Sequence, residues 1–308
     1  MAAMGRHQFT FNLDDLLLRE RHRPIGGAPA HFIFISAFCC STLLARYLEH
    51  VPGCLVLREP GLLGQIAMLR RRPEAAGVPD WEREWAAWAG LVLGLLTRSF
   101  AAGDTVVIKA ADVCNNLGNA VLARDPASRI LLLAIGLRSF VLSVLKSSGR
   151  RAWTCARARF WRREASRFPR LAAINPAHLN DARKAAYLWL LTDALWRELG
   201  EYAAPGSLQA MDGEMVAARP VEALRRAADF FGLALTAAEL DAAIASPTAS
   251  HHAKEAGRDY AGADRARDLA AWDQRFGGQA DAALDWAAQF WPGTAASLAA
   301  ALPGPLEG

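Results

Sequence analysis

The stretch His31-Phe-Ile-Phe-Ile-Ser-Ala-Phe-Cys-Cys-Ser-Thr-Leu-Leu-Ala-Arg-Tyr-Leu48 constrains the fold more than any other part of the chain. His31 to Ile35 are almost all apolar and do not alternate with polar residues, as expected of a parallel strand covered on both faces. Small side chains dominate Ser36 to Ser41. Thr42, Leu43, Leu44, Tyr47 and Leu48 then recur at helical spacing until Pro52-Gly53 breaks the pattern. A strand that feeds a small-residue turn and then a helix presents unpaired backbone N–H groups, and the positive end of the helix dipole, beyond the strand. The stretch therefore predicts an anion site suited to phosphate.

Further strands and helices follow in alternation. Cys54 to Arg58 reads as a second strand ending in Glu59-Pro60, Asp104 to Lys109 as a third entered from a Gly103 turn, and Arg129 to Ile135 as a fourth. Gly61 to Arg72, Trp81 to Phe100 and Ser139 to Ser147 read as helices. In the second of these Trp81, Trp85, Trp88, Val92 and Phe100 fall close to a 3.6 period. Strands alternating with helices predict a parallel sheet between two helical layers, joined by right-handed crossovers. Ligands in such sheets lie beyond the carboxyl ends of the strands. That rule gathers Ser36 to Thr42, Glu59, Lys109 with Asp112, and Arg138 to Ser143 toward one crevice. A strand-end lysine at 109 could also simply pair with Asp112.

Composition narrows the class. With 308 residues and 53% hydrophobic content the chain can bury a large core and is not disordered. A net charge of +4 suits an anionic ligand but falls far short of a charge-driven nucleic-acid binder. Five cysteines, an odd number with Cys39 and Cys40 adjacent and no Cys-x-x-Cys, predict neither a disulfide framework nor a zinc site. Residues 1–22 lack the continuous apolar core of a signal peptide, and the longest apolar run, Trp85 to Leu96, is too short to span a bilayer. The expectation is a soluble cytoplasmic protein without a membrane span.

The loop is no Walker A motif, since it has neither the Gly-x4-Gly-Lys-Ser/Thr pattern nor any lysine. It resembles the 5′-phosphosulfate loop of the sulfotransferase family, usually Pro-Arg/Lys-Ser-Gly-Thr/Ser-Thr-Leu-Leu. Ala37 stands at the proline, Phe38 at the basic residue, Cys39 and Cys40 at Ser-Gly, and Ser41 and Thr42 at the paired hydroxyls. In that family a glutamate just past the second strand serves the tyrosylprotein type as general base, which Glu59 matches. Lys109 matches the lysine of a third-strand Lys-Thr-His, whose histidine is Ala111 here. Arg138 and Ser143 keep the spacing of the second arginine and the serine of the 3′-phosphate motif, while Ile135 occupies the first arginine's place.

Ser207 to Leu233 resembles the family's fifth strand, acidic turn and x-x-Pro helix. Here Pro220 opens the helix, Val221, Leu224, Ala228 and Phe231 form its apolar face, and Gly232 ends it. Lys254 and Arg258, in a polar island after Ser246-Pro247, resemble a late basic loop over the adenosine end of the donor. The likeness spans roughly residues 31 to 260. It implies an α/β, three-layer P-loop-type fold with a central parallel sheet of about five strands and added C-terminal helices. As domains it implies one unit over 1–308, with a core at 31–233 and a helical extension at 236–302.

The same resemblance implies sulfuryl transfer from 3′-phosphoadenosine-5′-phosphosulfate to a hydroxyl or amine on a small-molecule or peptide acceptor. Glu59 would be the base, Lys109 would assist the leaving group, and Ala37, Phe38, Cys39, Cys40, Ser41, Thr42, Arg138, Ser143, Lys254 and Arg258 would hold the donor, with no metal. Two other readings stay open: a P-loop nucleotide-dependent phosphotransferase or hydrolase, and a non-catalytic nucleotide- or partner-binding relative. Arg150 to Arg170 holds eight arginines against one acidic residue, Glu164. This segment reads either as a solvated basic face or as a grip for an acidic ligand. The paired His251 and His252 lack the carboxylate or cysteine neighbours of a metal site.

Overall fold

A computed structural model of the chain describes residues 13–22, 29–72, 79–99, 101, 103–246 and 262–290. Five strands form its sheet: β1 (Ala30–Ile35), β2 (Cys54–Arg58), β3 (Thr105–Lys109), β4 (Ile130–Ala134) and β5 (Leu208–Asp212). Their order is β2-β3-β1-β4-β5 and every neighbouring pair is parallel. The four patterned strands and the fifth all lie where the sequence puts them, within a residue or so. β1 and β4 are buried along their whole length, whereas the edge strands β2 and β5 are mostly half-buried. This is why the central strands read as unbroken apolar runs.

Helices α1 (Leu13–His22), α2 (Ser41–Leu48), α3 (Gly61–Leu69), α4 (Trp81–Leu96), α5 (Gly118–Arg124), α6 (Leu137–Leu145) and α7 (Ser148–Phe160) follow in order. After them come the short α8 (Arg162–Ala165) and α9 (Pro169–Ala172), then α10 (Asp181–Tyr202), α11 (Gly213–Ala218), α12 (Pro220–Phe231), α13 (Ala237–Ala245) and α14 (Gly262–Ala288). A 3-10 turn, Asp112–Leu117, separates β3 from α5.

Right-handed crossovers divide the helices between the faces. α2 carries the chain from β1 over β3 to β2 and packs with α11, α12 and α13. The connections through α4, α5 and α10 run in the opposite direction along the sheet and so pack on the other face. The chain therefore parts around the carboxyl end of β1, the place where parallel α/β sheets bind ligands. α14 lies along α6 and α10 and also reaches α11.

Several local expectations need adjustment. α4 ends at Leu96 rather than Phe100, where the Thr97 hydroxyl donates to the Gly94 carbonyl at 2.9 Å and competes with the helical ladder. The helix expected from Ser139 starts at Leu137 and stops at Leu145, because Ser147 turns extended and caps a separate α7 by accepting from the Arg150 N–H. In α12 Pro220 lies in the first turn and Gly232 closes the helix at φ 78°, as expected. Its buried face is Ala223, Leu224, Ala227, Ala228 and Phe231, while Val221 is exposed in the first turn. Trp85, Trp189 and Trp196 are core residues. The Trp189 indole N–H donates to the Ile135 carbonyl at 2.9 Å, tying α10 to the carboxyl end of β4.

Candidate functional site

Among the described residues five non-glycine positions have left-handed backbone: Ala37 (φ 65°), Phe38 (φ 55°), Cys40 (φ 58°), Glu59 (φ 47°) and Asp80 (φ 60°). Four of the five sit directly after β1 or β2, on the carboxyl edge of the sheet. Conformations of this kind each cost on the order of 1 kcal/mol or more and persist where surrounding structure enforces them.

The enforcement around the loop is visible. The Arg265 guanidinium of α14 donates to the Phe38 carbonyl at 3.2 Å and grips the Glu214 carboxylate of α11 at 2.5 and 2.8 Å. Asp212 caps α11 by accepting from the Glu214 N–H at 2.9 Å. Gly213, beside them, lies so close to the Cys39 backbone that a Cβ there would stand 2.9 Å from its carbonyl carbon and nearer to its oxygen. The carbonyls of Phe38 and Cys39 thus face α14 and α11. In a trans peptide the next N–H points the opposite way, so the Cys39 and Cys40 N–H groups turn away from those helices. Among the described residues neither of these groups, nor the Thr42 N–H, has a hydrogen-bond acceptor. Orphan donors on a buried loop at a helix start fit an anion.

Beside the loop, Lys109 ends β3 with its side chain almost fully buried, and its ammonium donates to the Glu59 carboxylate, whose side chain is half exposed. The Glu59 N–H in turn donates to the Lys109 carbonyl at 2.7 Å, so backbone and side chains fix the pair together. Asp112 does not take Lys109. It pairs with Arg157 of α7 at 3.0 Å, and burial pushes its carboxyl up in pKa against the pull of that guanidinium. Behind it a second, fully buried pair joins Arg71 and Glu164 at 2.9 Å, while Arg71 also donates to the Ala67 and Val113 carbonyls. Asn115 donates to the Ile35 carbonyl at 3.0 Å, anchoring the 3-10 turn to the last residue of β1.

The remaining sequence-named residues are distributed as follows. Cys39 and Ser41 are buried, Cys40 and Thr42 half-buried. Burial raises the Cys39 thiol and pushes Cys40 up to about 12, so both are neutral side chains rather than nucleophiles. Ser143 is buried within α6. Arg138 is bound by two α14 carboxylates, Asp273 at 2.6 Å and Asp281. Lys254 and Arg258, like His251 and His252, lie outside the described residues.

The arginine-rich segment is largely occupied within the fold. Arg151 pairs with Asp181, Arg157 with Asp112 and Arg167 with Glu198, while Arg163 and Arg170 donate to the Arg72 and Phe290 carbonyls. Arg150 lies over the Phe38 ring, 4.3 Å from its centroid, and donates to the Ser143 carbonyl at 2.8 Å. Sequence reasoning did not single out Gly213 or Arg265, and took Arg150 only as one end of the arginine-rich segment that could grip an acidic ligand. A glycine in the acidic turn after β5 was the one available hint. No helix among the described residues is long and apolar enough to cross a membrane.

No family model and no curated protein matches the chain. Solved structures similar to it include the sulfotransferase domain from the curacin biosynthetic pathway, at 14% identity and TM-score 0.47, over 82% of this chain and 99% of that domain. A sulfotransferase from Alicyclobacillus acidocaldarius is similar at 12% identity and TM-score 0.44, over 85% and 95%. The sulfotransferase domain from the Synechococcus PCC 7002 olefin synthase is similar at 14% identity and TM-score 0.42, over 82% and 95%.

Proposed function

We propose that the chain transfers a sulfuryl group from 3′-phosphoadenosine-5′-phosphosulfate to a hydroxyl or amine. The observation that carries this reading is the clustering of left-handed backbone: Ala37, Phe38 and Cys40 in the loop and Glu59 beside it. Such positions are retained where they serve a site. Here they accompany orphan N–H donors on one strand end and a carboxylate with an ammonium on the neighbouring ones. The order of sequence matches from the loop to Gly232 points to the same donor.

In the proposed reaction the loop N–H groups of Cys39, Cys40 and Thr42, with the hydroxyls of Ser41 and Thr42, hold the phosphosulfate end of the donor. Glu59 accepts the proton of the acceptor hydroxyl or amine as its oxygen or nitrogen bonds to sulfur. The sulfur-to-bridging-oxygen bond breaks in line, and Lys109 neutralises the charge left on that oxygen, which departs with 3′-phosphoadenosine-5′-phosphate. Glu59 and Lys109 are in contact before any ligand enters, so base and leaving-group cation begin within one side chain of each other. Entry of the donor's negative charge competes with Glu59 for Lys109 and leaves the carboxylate to the acceptor. Half exposure of Glu59 gives the acceptor a route from solvent.

The test uses sulfur-labelled donor and a panel of phenols, alcohols and amines. Label transfer is expected, and Glu59→Gln should lower it by about 10²-fold or more while retaining nucleotide binding. Transfer by Glu59→Gln at the unmodified rate would remove Glu59 as base.

A further inference from the structure

We propose that Arg150, from α7, is the cation of the anion loop, and that it binds the 5′-phosphate end of the donor inferred above. Residues 36–42 contain no lysine or arginine, yet a loop that holds a phosphosulfate needs positive charge beyond its N–H groups. Among the described residues Arg265 and Arg150 contact Phe38 of the loop, and Lys109 lies at the end of the neighbouring strand β3. Lys109 stands with Glu59 at the sulfuryl end in the reaction proposed above, and Arg265 grips Glu214 and donates to the Phe38 carbonyl, the side of the loop turned away from the orphan donors.

Arg150 approaches differently. Its guanidinium rests on the face of the Phe38 ring at 4.3 Å, and its Nη1 donates to the Ser143 carbonyl at 2.8 Å. The ring is itself fixed, edge to face with Trp153 at 5.1 Å and tilted against Phe140 at 5.8 Å. The Arg150 backbone is fixed by the Ser147 cap. Phe38 thus serves as a platform that orients a planar guanidinium contributed by another helix. A guanidinium held by a ring face and a carbonyl keeps the fork geometry that matches phosphate oxygens. Arg150 thereby brings a fixed charge against Phe38, the residue that precedes the Cys39 N–H.

Isothermal titration with 3′-phosphoadenosine-5′-phosphate and with 5′-AMP tests this on the full chain. Arg150→Gln should weaken both nucleotides by a similar factor, about tenfold or more. Adding Phe38→Lys to Arg150→Gln should recover most of the loss, which a merely structural arginine would not allow. Phe38→Leu, which keeps apolar bulk and removes the ring face, should weaken binding by about threefold and serves if Arg150→Gln does not fold. Unchanged affinity in Arg150→Gln, or in Phe38→Leu where that stands in for it, overturns the proposal while the donor reading stands. A loss confined to the 3′-phosphorylated nucleotide overturns the placement at the 5′ end. Absence of binding by the unmodified chain removes the donor reading and this proposal with it.

Discussion

Gly213 offers the sharpest structural test because its space is taken by the loop itself. A Cβ at this position would lie 2.9 Å from both the carbonyl carbon and the Cβ of Cys39, and closer to the carbonyl oxygen. Ordinary carbon contacts begin near 3.4 Å or beyond, so Gly213→Ala must push the loop or α11 aside by roughly 0.5 to 1 Å in a close-packed region. Overpacking of this size costs about 2 kcal/mol, which for a chain of this length is a fall in Tm of roughly 4 °C. The displaced group is the peptide whose carbonyl orientation aims the Cys40 N–H, so nucleotide affinity should fall together with stability. Gly149→Ala in α7 is the matched control. Nothing lies within 4 Å of its Cβ, and helix propensity predicts a change of zero to about 1 kcal/mol in the stabilising direction. Thermal melts of both variants, with and without 3′-phosphoadenosine-5′-phosphate, make the comparison. A Gly213→Ala protein as stable as the parent, with unchanged affinity, would refute the contact as the support of the loop.

Other expectations follow from the same structure. His31 is buried against Phe231, its Nδ1 accepts from the Arg129 N–H at 3.1 Å, and burial together with the Arg129 charge lowers its pKa from 6.5 to about 4. The unfolded chain therefore takes up a proton that the folded chain refuses between these values. Stability should decline as pH falls from about 6.5 to about 4, by on the order of 1 to 2 kcal/mol at pH 5. His31→Asn, which retains an acceptor, should flatten that limb of a denaturation profile; an unaltered limb would assign acid sensitivity elsewhere. Arg71 and Glu164 form a pair with side chains 1% and 7% exposed, so Arg71→Ala, which strands a buried carboxylate, should cost about 3 to 5 kcal/mol in a urea melt. Arg71→Met with Glu164→Leu should recover much of that; equal losses would mean that packing, not charge, dominates there.

The parts of the fold legible in the sequence were those set by local pattern. β1 and β4 are buried on both faces, so every side chain reports the same environment. Pro220 and Gly232 mark the ends of α12 through their own backbone chemistry. Partnerships across the chain were not legible. Lys109 lies three residues from Asp112 yet pairs with Glu59, because β2 and β3 are adjacent and parallel and bring both strand ends level. Arg265 and Phe38 are 227 positions apart, and nothing in either neighbourhood announces the other. Arginines at 151, 157, 163, 167 and 170 form a basic run on paper. In the fold they face carboxylates and carbonyls contributed by distant segments.

Ligand-dependent melting tests most directly the proposal that the loop after β1 holds a 3′-phosphorylated adenosine donor. At a hundred times its dissociation constant, a ligand specific to the folded state stabilises by about 2.7 kcal/mol. 3′-Phosphoadenosine-5′-phosphate should raise Tm more than ADP or adenosine-5′-phosphosulfate at equal concentration. Greater stabilisation by ADP would place the loop with nucleotide phosphotransferases, and no shift with any of the three would contradict the donor altogether.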